Sequence, residues 1–194
     1  MPTSTGPRSH RRPSPARGAF LALGVALPVA TAVAIWLIGD HHTPQYTTSL
    51  FGEEGDAAVT LKARLGTALF GLAVIQLLLA LWMYGRLPGL TAASRPVRIT
   101  HRVLGWGAFL LSVPIAYHCV RTYGVETTDT RVHLHSIAGC ALYGAFVAKV
   151  LVVRSRHLPG WLLPAAGGAL FVAIGLLWYS AALWALNDYE VPGL

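Results

Sequence analysis

The stretch Ala116–Ser136, AYHCVRTYGVETTDTRVHLHS, decides how the chain folds. Its polar middle, RTYGVETTDTR, separates two long apolar runs, Val97–Val120 upstream and His133–Val153 downstream. Each run is long enough to cross a bilayer, which takes about 20 helical residues at ~1.5 Å each. A connection this short makes the two spans antiparallel neighbours. Outward from this hairpin lie three further apolar runs, Gly18–Ile38, Lys62–Tyr84 and Trp161–Leu186. Strict alternation of apolar and polar residues is missing, which argues against a β-barrel. The composition agrees: 54% of the 194 residues are hydrophobic and only 12% charged. That balance excludes an ordinary soluble domain. The expected fold is an all-α integral membrane bundle of five transmembrane helices over residues 18–186, with a short outer tail at 187–194.

The first seventeen residues, MPTSTGPRSHRRPSPAR, hold almost nothing apolar and read as a disordered basic tail. A signal peptide is the competing reading, but the following run is too long for one, and IWLIGDHH offers no small-x-small cleavage site. Arg8, Arg11, Arg12, Arg17, Arg86, Arg95, Arg98, Arg102, Lys149, Arg154 and Arg156 all fall on one side of a five-span chain. All eight acidic residues (Asp40, Glu53, Glu54, Asp56, Glu126, Asp129, Asp188, Glu190) fall on the other. The positive-inside rule then makes the amino terminus cytoplasmic and the carboxyl terminus external. The same bias accounts for the basic net charge, so no nucleic acid partner is needed. The expected location is a bacterial plasma membrane, with the lipid bilayer as first partner.

The histidines sort by depth under this topology. His118, His133 and His135 lie near the outer boundary, and His101 and His157 near the inner one. His133 and His135 are about 200° apart around a helix, so only one can face a given neighbour, and His135 lies deeper in the apolar register. His41 and His42 end the first span and read most simply as solvated. Seventeen residues separate His101 from His118, about 260° of ideal helix, but Pro114 between them disturbs that phase. Two levels with a candidate pair each, His118 with His135 and His101 with His157, form a pattern suited to two bis-histidine haems. A neutral imidazole offers one lone pair to iron and keeps an N–H for a neighbouring acceptor. No CxxCH sequence occurs, so the haem would be b-type and held without a covalent bond.

At these residues the chain resembles the cytochrome b561 family of transmembrane haem proteins. Arg98-Ile99-Thr100-His101-Arg102-Val103-Leu104 is similar to the opening of that family's third helix, with Thr100 in place of an apolar residue. Leu134-His135-Ser136-Ile137-Ala138-Gly139 matches the opening of its fourth. The resemblance covers roughly residues 95–155. It implies one or two haem b groups, with His101 a ligand of an inner iron and His135 of an outer one, and a quinone or partner redox protein to exchange electrons with. The family's second outer ligand begins helix two, where this chain reads VTLKARLGTALFG without a histidine. His118 is then the substitute, with His41 or His42 behind it. His157 stands slightly ahead of the family's position in helix five, and the family's sixth helix is absent.

The competing function is a cofactor-free accessory or scaffold subunit of a membrane complex. A transporter ranks third, because no internal repeat and almost no intramembrane charge is present. Cys119 and Cys140 read as small core residues, Lys149 as a snorkelling cation, and Gln76 as a polar contact between helices. Trp36, Trp82, Tyr84, Trp161 and Trp184 suit an interfacial belt.

Overall fold

The computed structural model describes residues 15–90, 92–155, 158–191 and 193, with the backbone alone for 15–17. Residues 1–14 of the expected tail lie outside the described residues, as does His157. Five helices are long and apolar enough to cross a membrane. They are α1 (Pro15–Asp40), α2 (Gly55–Met83), α3 (Arg95–Tyr123), α4 (Thr130–Arg154) and a fifth span opened by α5 (Leu162–Leu177). That last helix runs on through a π-helical segment, Trp178–Leu183, into a closing turn, α6 (Trp184–Leu186). No strand forms among the described residues beyond a single bridge between Leu50 and Glu53.

The helices outrun the apolar windows that announce them. α2 begins at Gly55 rather than Lys62, and α1 already at Pro15. A helix of 29 residues is about 43 Å long, which matches the bilayer with its headgroup layers rather than the hydrocarbon alone. Polar residues at a span's end can therefore stay helical. At α4 the start is fixed chemically: the Asp129 carboxylate accepts the Val132 N–H at 2.8 Å.

The interior is built from small residues. Ala58, Ala63, Ala73, Ala108, Ala138, Ala173 and Ala182 are buried, while Val25, Val103, Leu110 and Val172 are exposed. Lipid is as apolar as leucine, so bulk can face outward and close backbone packing holds the inside. The extreme case is Gly144 of α4, where an added Cβ would stand 2.7 Å from the Pro28 carbonyl of α1. α1 thus packs along α4, α4 along α5, and α2 along α3 and the π-helical segment.

α3 and α4 differ from these pairs. Their backbones stay apart, and aromatic side chains bridge the gap. Phe109 stacks on Phe146 with centroids 4.2 Å apart, Trp106 meets Phe146 edge-on, and Ser112 and Tyr143 share a hydrogen bond of 3.2 Å. The expected antiparallel neighbours therefore touch, but through side chains.

Candidate histidine site

The acidic residues of the loops and helix ends gather at one end of the bundle, where α1 ends, α2 begins, α3 ends and α4 begins. Here the 41–54 connection folds down onto the end of α3. The Gln45 N–H donates to the Arg121 carbonyl at 3.1 Å, and the Arg121 guanidinium returns a bond to Gln45 Oε1 at 2.8 Å. His42 Nε2 donates to the same Arg121 carbonyl at 3.0 Å. His41 Nδ1 donates back to Leu37 O, and its side chain is largely exposed. Neither of these two histidines turns into the bundle.

His118 is the centre of that strap. It is 2% exposed, and its Nε2 lies 2.9 Å from the Thr48 carbonyl. A carbonyl only accepts, so Nε2 carries the proton and Nδ1 the lone pair. Thr122, one turn on, places its hydroxyl 3.2 Å from Nδ1 and donates to it. Both nitrogens are thereby used. As a ligand of iron the residue fits poorly, because freeing either nitrogen breaks one of these bonds in a buried place.

His135 stands differently. Its Nδ1 is 3.0 Å from Ser180 Oγ, in the π-helical segment of the fifth span. Ser180 is fully buried, and its hydroxyl donates to the Leu176 carbonyl at 2.6 Å. A hydroxyl has one proton, so toward His135 this oxygen must accept. The proton is then on Nδ1 and the lone pair on Nε2, for which the described residues supply no hydrogen-bond donor. Arg131 tightens the same corner by donating to the Ser180 carbonyl at 2.9 Å while its guanidinium lies 3.9 Å from the Trp184 ring centroid. His133, two residues away from His135, is exposed and meets Trp36 of α1 at 6.4 Å. Of the two, His135 faces the interior.

His118 and His135 thus share an end of the bundle and turn to different partners, one to the 41–54 strap and one to the fifth span. At the opposite end His101 is half-buried on α3. Its backbone carbonyl accepts a hydrogen bond from Gln76 Nε2 of α2 at 2.7 Å. Its ring Nδ1 is buried and has no partner in hydrogen-bonding geometry, although the Gln76 backbone carbonyl stands beside the ring. Gln76 Oε1 is likewise buried without a hydrogen-bond partner among the described residues.

Sequence reading had no means of finding Ser180, Thr48 and Thr122. Ser180 is one hydroxyl in the apolar run WYSAALW, and only the π-helical widening brings it opposite His135. π-helical turns recur at functional sites, but sequence alone does not mark them. Cys119 and Cys140 are both free thiols, Cys140 buried and Cys119 half-buried.

A family model described as a family of unknown function, DUF6529, matches residues 21–193. The match takes in all of the bundle but the first turns of α1, and the chain belongs to that family. None of the curated proteins and none of the solved structures matches it.

Proposed function

We propose that the chain is an integral membrane b-type haem protein taking part in transmembrane electron transfer. The observation that carries this reading is His135. Its N–H is spent on Ser180 and its Nε2 lone pair is left over, the arrangement in which an imidazole serves a metal with its other nitrogen anchored. His101 is the candidate at the opposite end, a half-buried ring with one nitrogen lacking a partner. His157 would be its companion ligand. Bound haem would supply a one-electron couple that apolar side chains cannot. The chain's part is to hold the imidazoles, fix their tautomers and keep water away. Electrons would be exchanged with a quinone or a partner redox protein. His118 is left out of the ligand set, since its two bonds make it the lock of the 41–54 strap.

A second reading, a cofactor-free accessory subunit of a membrane complex, draws on one observation. Phe109, Phe146, Trp106 and Tyr143 already occupy the α3–α4 gap in which a macrocycle could otherwise sit.

Haem content of the protein purified from haem-replete cells separates the two. A pyridine haemochrome assay giving about one or two haems per chain supports the redox reading, and a haem-free, well-folded protein removes it.

A further inference from the structure

A second site lies at the same acidic end and shares Arg131 with the surroundings of His135. Asp129, Arg131, Trp184, Tyr189, Glu190 and Val191 line a cavity of about 540 Å³, together with Thr130. Asp188 and Tyr189 both take left-handed backbone conformations, φ 50° and 65°, which non-glycine residues rarely adopt. The Tyr189 N–H turns back to the Trp184 carbonyl at 2.9 Å, and Glu190, next in the chain, joins the cavity lining. The Tyr189 ring then meets Trp184 edge-on at 4.8 Å.

The charges in this cavity are opposite and yet unpaired. Arg131 makes no ion pair with Asp129 or Glu190; among the described residues the sole ion pair joins His41 to Asp40. The guanidinium is detained elsewhere, by the Ser180 carbonyl and the Trp184 face. Those bonds use one of its five N–H groups, and the others remain to be satisfied. Asp129 is held at the α4 N-terminus through one oxygen. A cation and two carboxylates around one space, none within salt-bridge distance of another, suit a ligand that carries both charges in the reverse order.

Position selects the kind of ligand. The cavity lies where α4 begins and the fifth span ends, the depth of lipid headgroups, and Trp184 and Val191 give it an apolar wall. We infer that it holds the phosphoethanolamine headgroup of a membrane lipid, phosphate toward Arg131 and ammonium toward Asp129 and Glu190. A purely anionic headgroup would meet two uncompensated carboxylates. A trimethylated ammonium would satisfy charge but donate no hydrogen bonds to them. The site is independent of the redox reading and stands or falls without it.

Native mass spectrometry on the full chain, released from nanodiscs of phosphatidylcholine doped equally with phosphatidylethanolamine and phosphatidylglycerol, tests this. The wild type should retain phosphatidylethanolamine about ten-fold over either other lipid, the scale of one well-placed charged contact. Glu190→Gln, at an exposed residue, should cut that preference several-fold, lowering phosphatidylethanolamine retention and raising that of phosphatidylglycerol, which then meets one carboxylate fewer. Arg131→Gln should lower retention of all three lipids, since each carries the phosphate that Arg131 would meet. Equal retention of the three lipids, or an unchanged preference in Glu190→Gln, overturns the inference. So does displacement of the lipid by soluble phosphoethanolamine at matched concentration, which would give the cavity to a free zwitterion.

Discussion

His118 and His135 sit at the same end of one bundle, and their surroundings have opposite consequences. Around His118 every polar atom has a partner: Nε2–H meets Thr48, Nδ1 meets Thr122, and the ring is sealed from solvent. Around His135 one nitrogen is anchored on Ser180 and the other has no donor among the described residues. A satisfied histidine holds a fold together, whereas a half-satisfied one is available for chemistry. Depth in the membrane cannot tell the two apart; only the count of partners at each nitrogen does.

Substitutions can break that contrast or sharpen it. The largest effect is expected from His135→Ala, which should abolish haem retention at this end while the helix content stays unchanged by circular dichroism. His118→Ala should leave haem binding intact and cost about 2–4 kcal/mol in stability, because Thr48 O and the Thr122 hydroxyl lose their partner and a buried cavity opens. Hydrogen exchange would show it as lost protection confined to residues near 41–54. If His118→Ala removes haem and His135→Ala does not, the contrast is reversed.

Ser180→Ala comes next. With no acceptor for Nδ1–H, His135 should still bind haem, but about 10–100-fold more weakly, with a shifted midpoint potential in redox titration. Ser180→Thr, which keeps the hydroxyl, should restore much of both. The smallest change is Thr122→Val, which removes only the donor to Nδ1. It should cost about 1 kcal/mol by reversible denaturation and leave any haem spectrum as it was.

The five spans were legible because length and apolarity are themselves the physical cause of a membrane helix. The Ala116–Ser136 break read correctly as a hairpin for the same reason. The ends of α2 and α1 were misplaced, since hydropathy senses hydrocarbon while a helix continues through the headgroup layer. His135 was distinguishable from His133 by its deeper place in the apolar register, once helical phase had kept the two from sharing a face. The role of His118 was not, because its partner Thr48 lies 70 residues away in a connection whose path no periodicity records. Ser180 was hidden for a related reason: a π-helical turn shifts phase within a run where every neighbour is apolar.

The contrast between the two histidines is most directly tested by dithionite-reduced minus oxidised spectra of the purified wild type, His118→Ala and His135→Ala, recorded side by side at equal protein concentration. A b-type α band is expected in the wild type, preserved in His118→Ala and diminished or lost in His135→Ala. A wild type without the band, or a band that vanishes with His118 and survives without His135, contradicts the assignment.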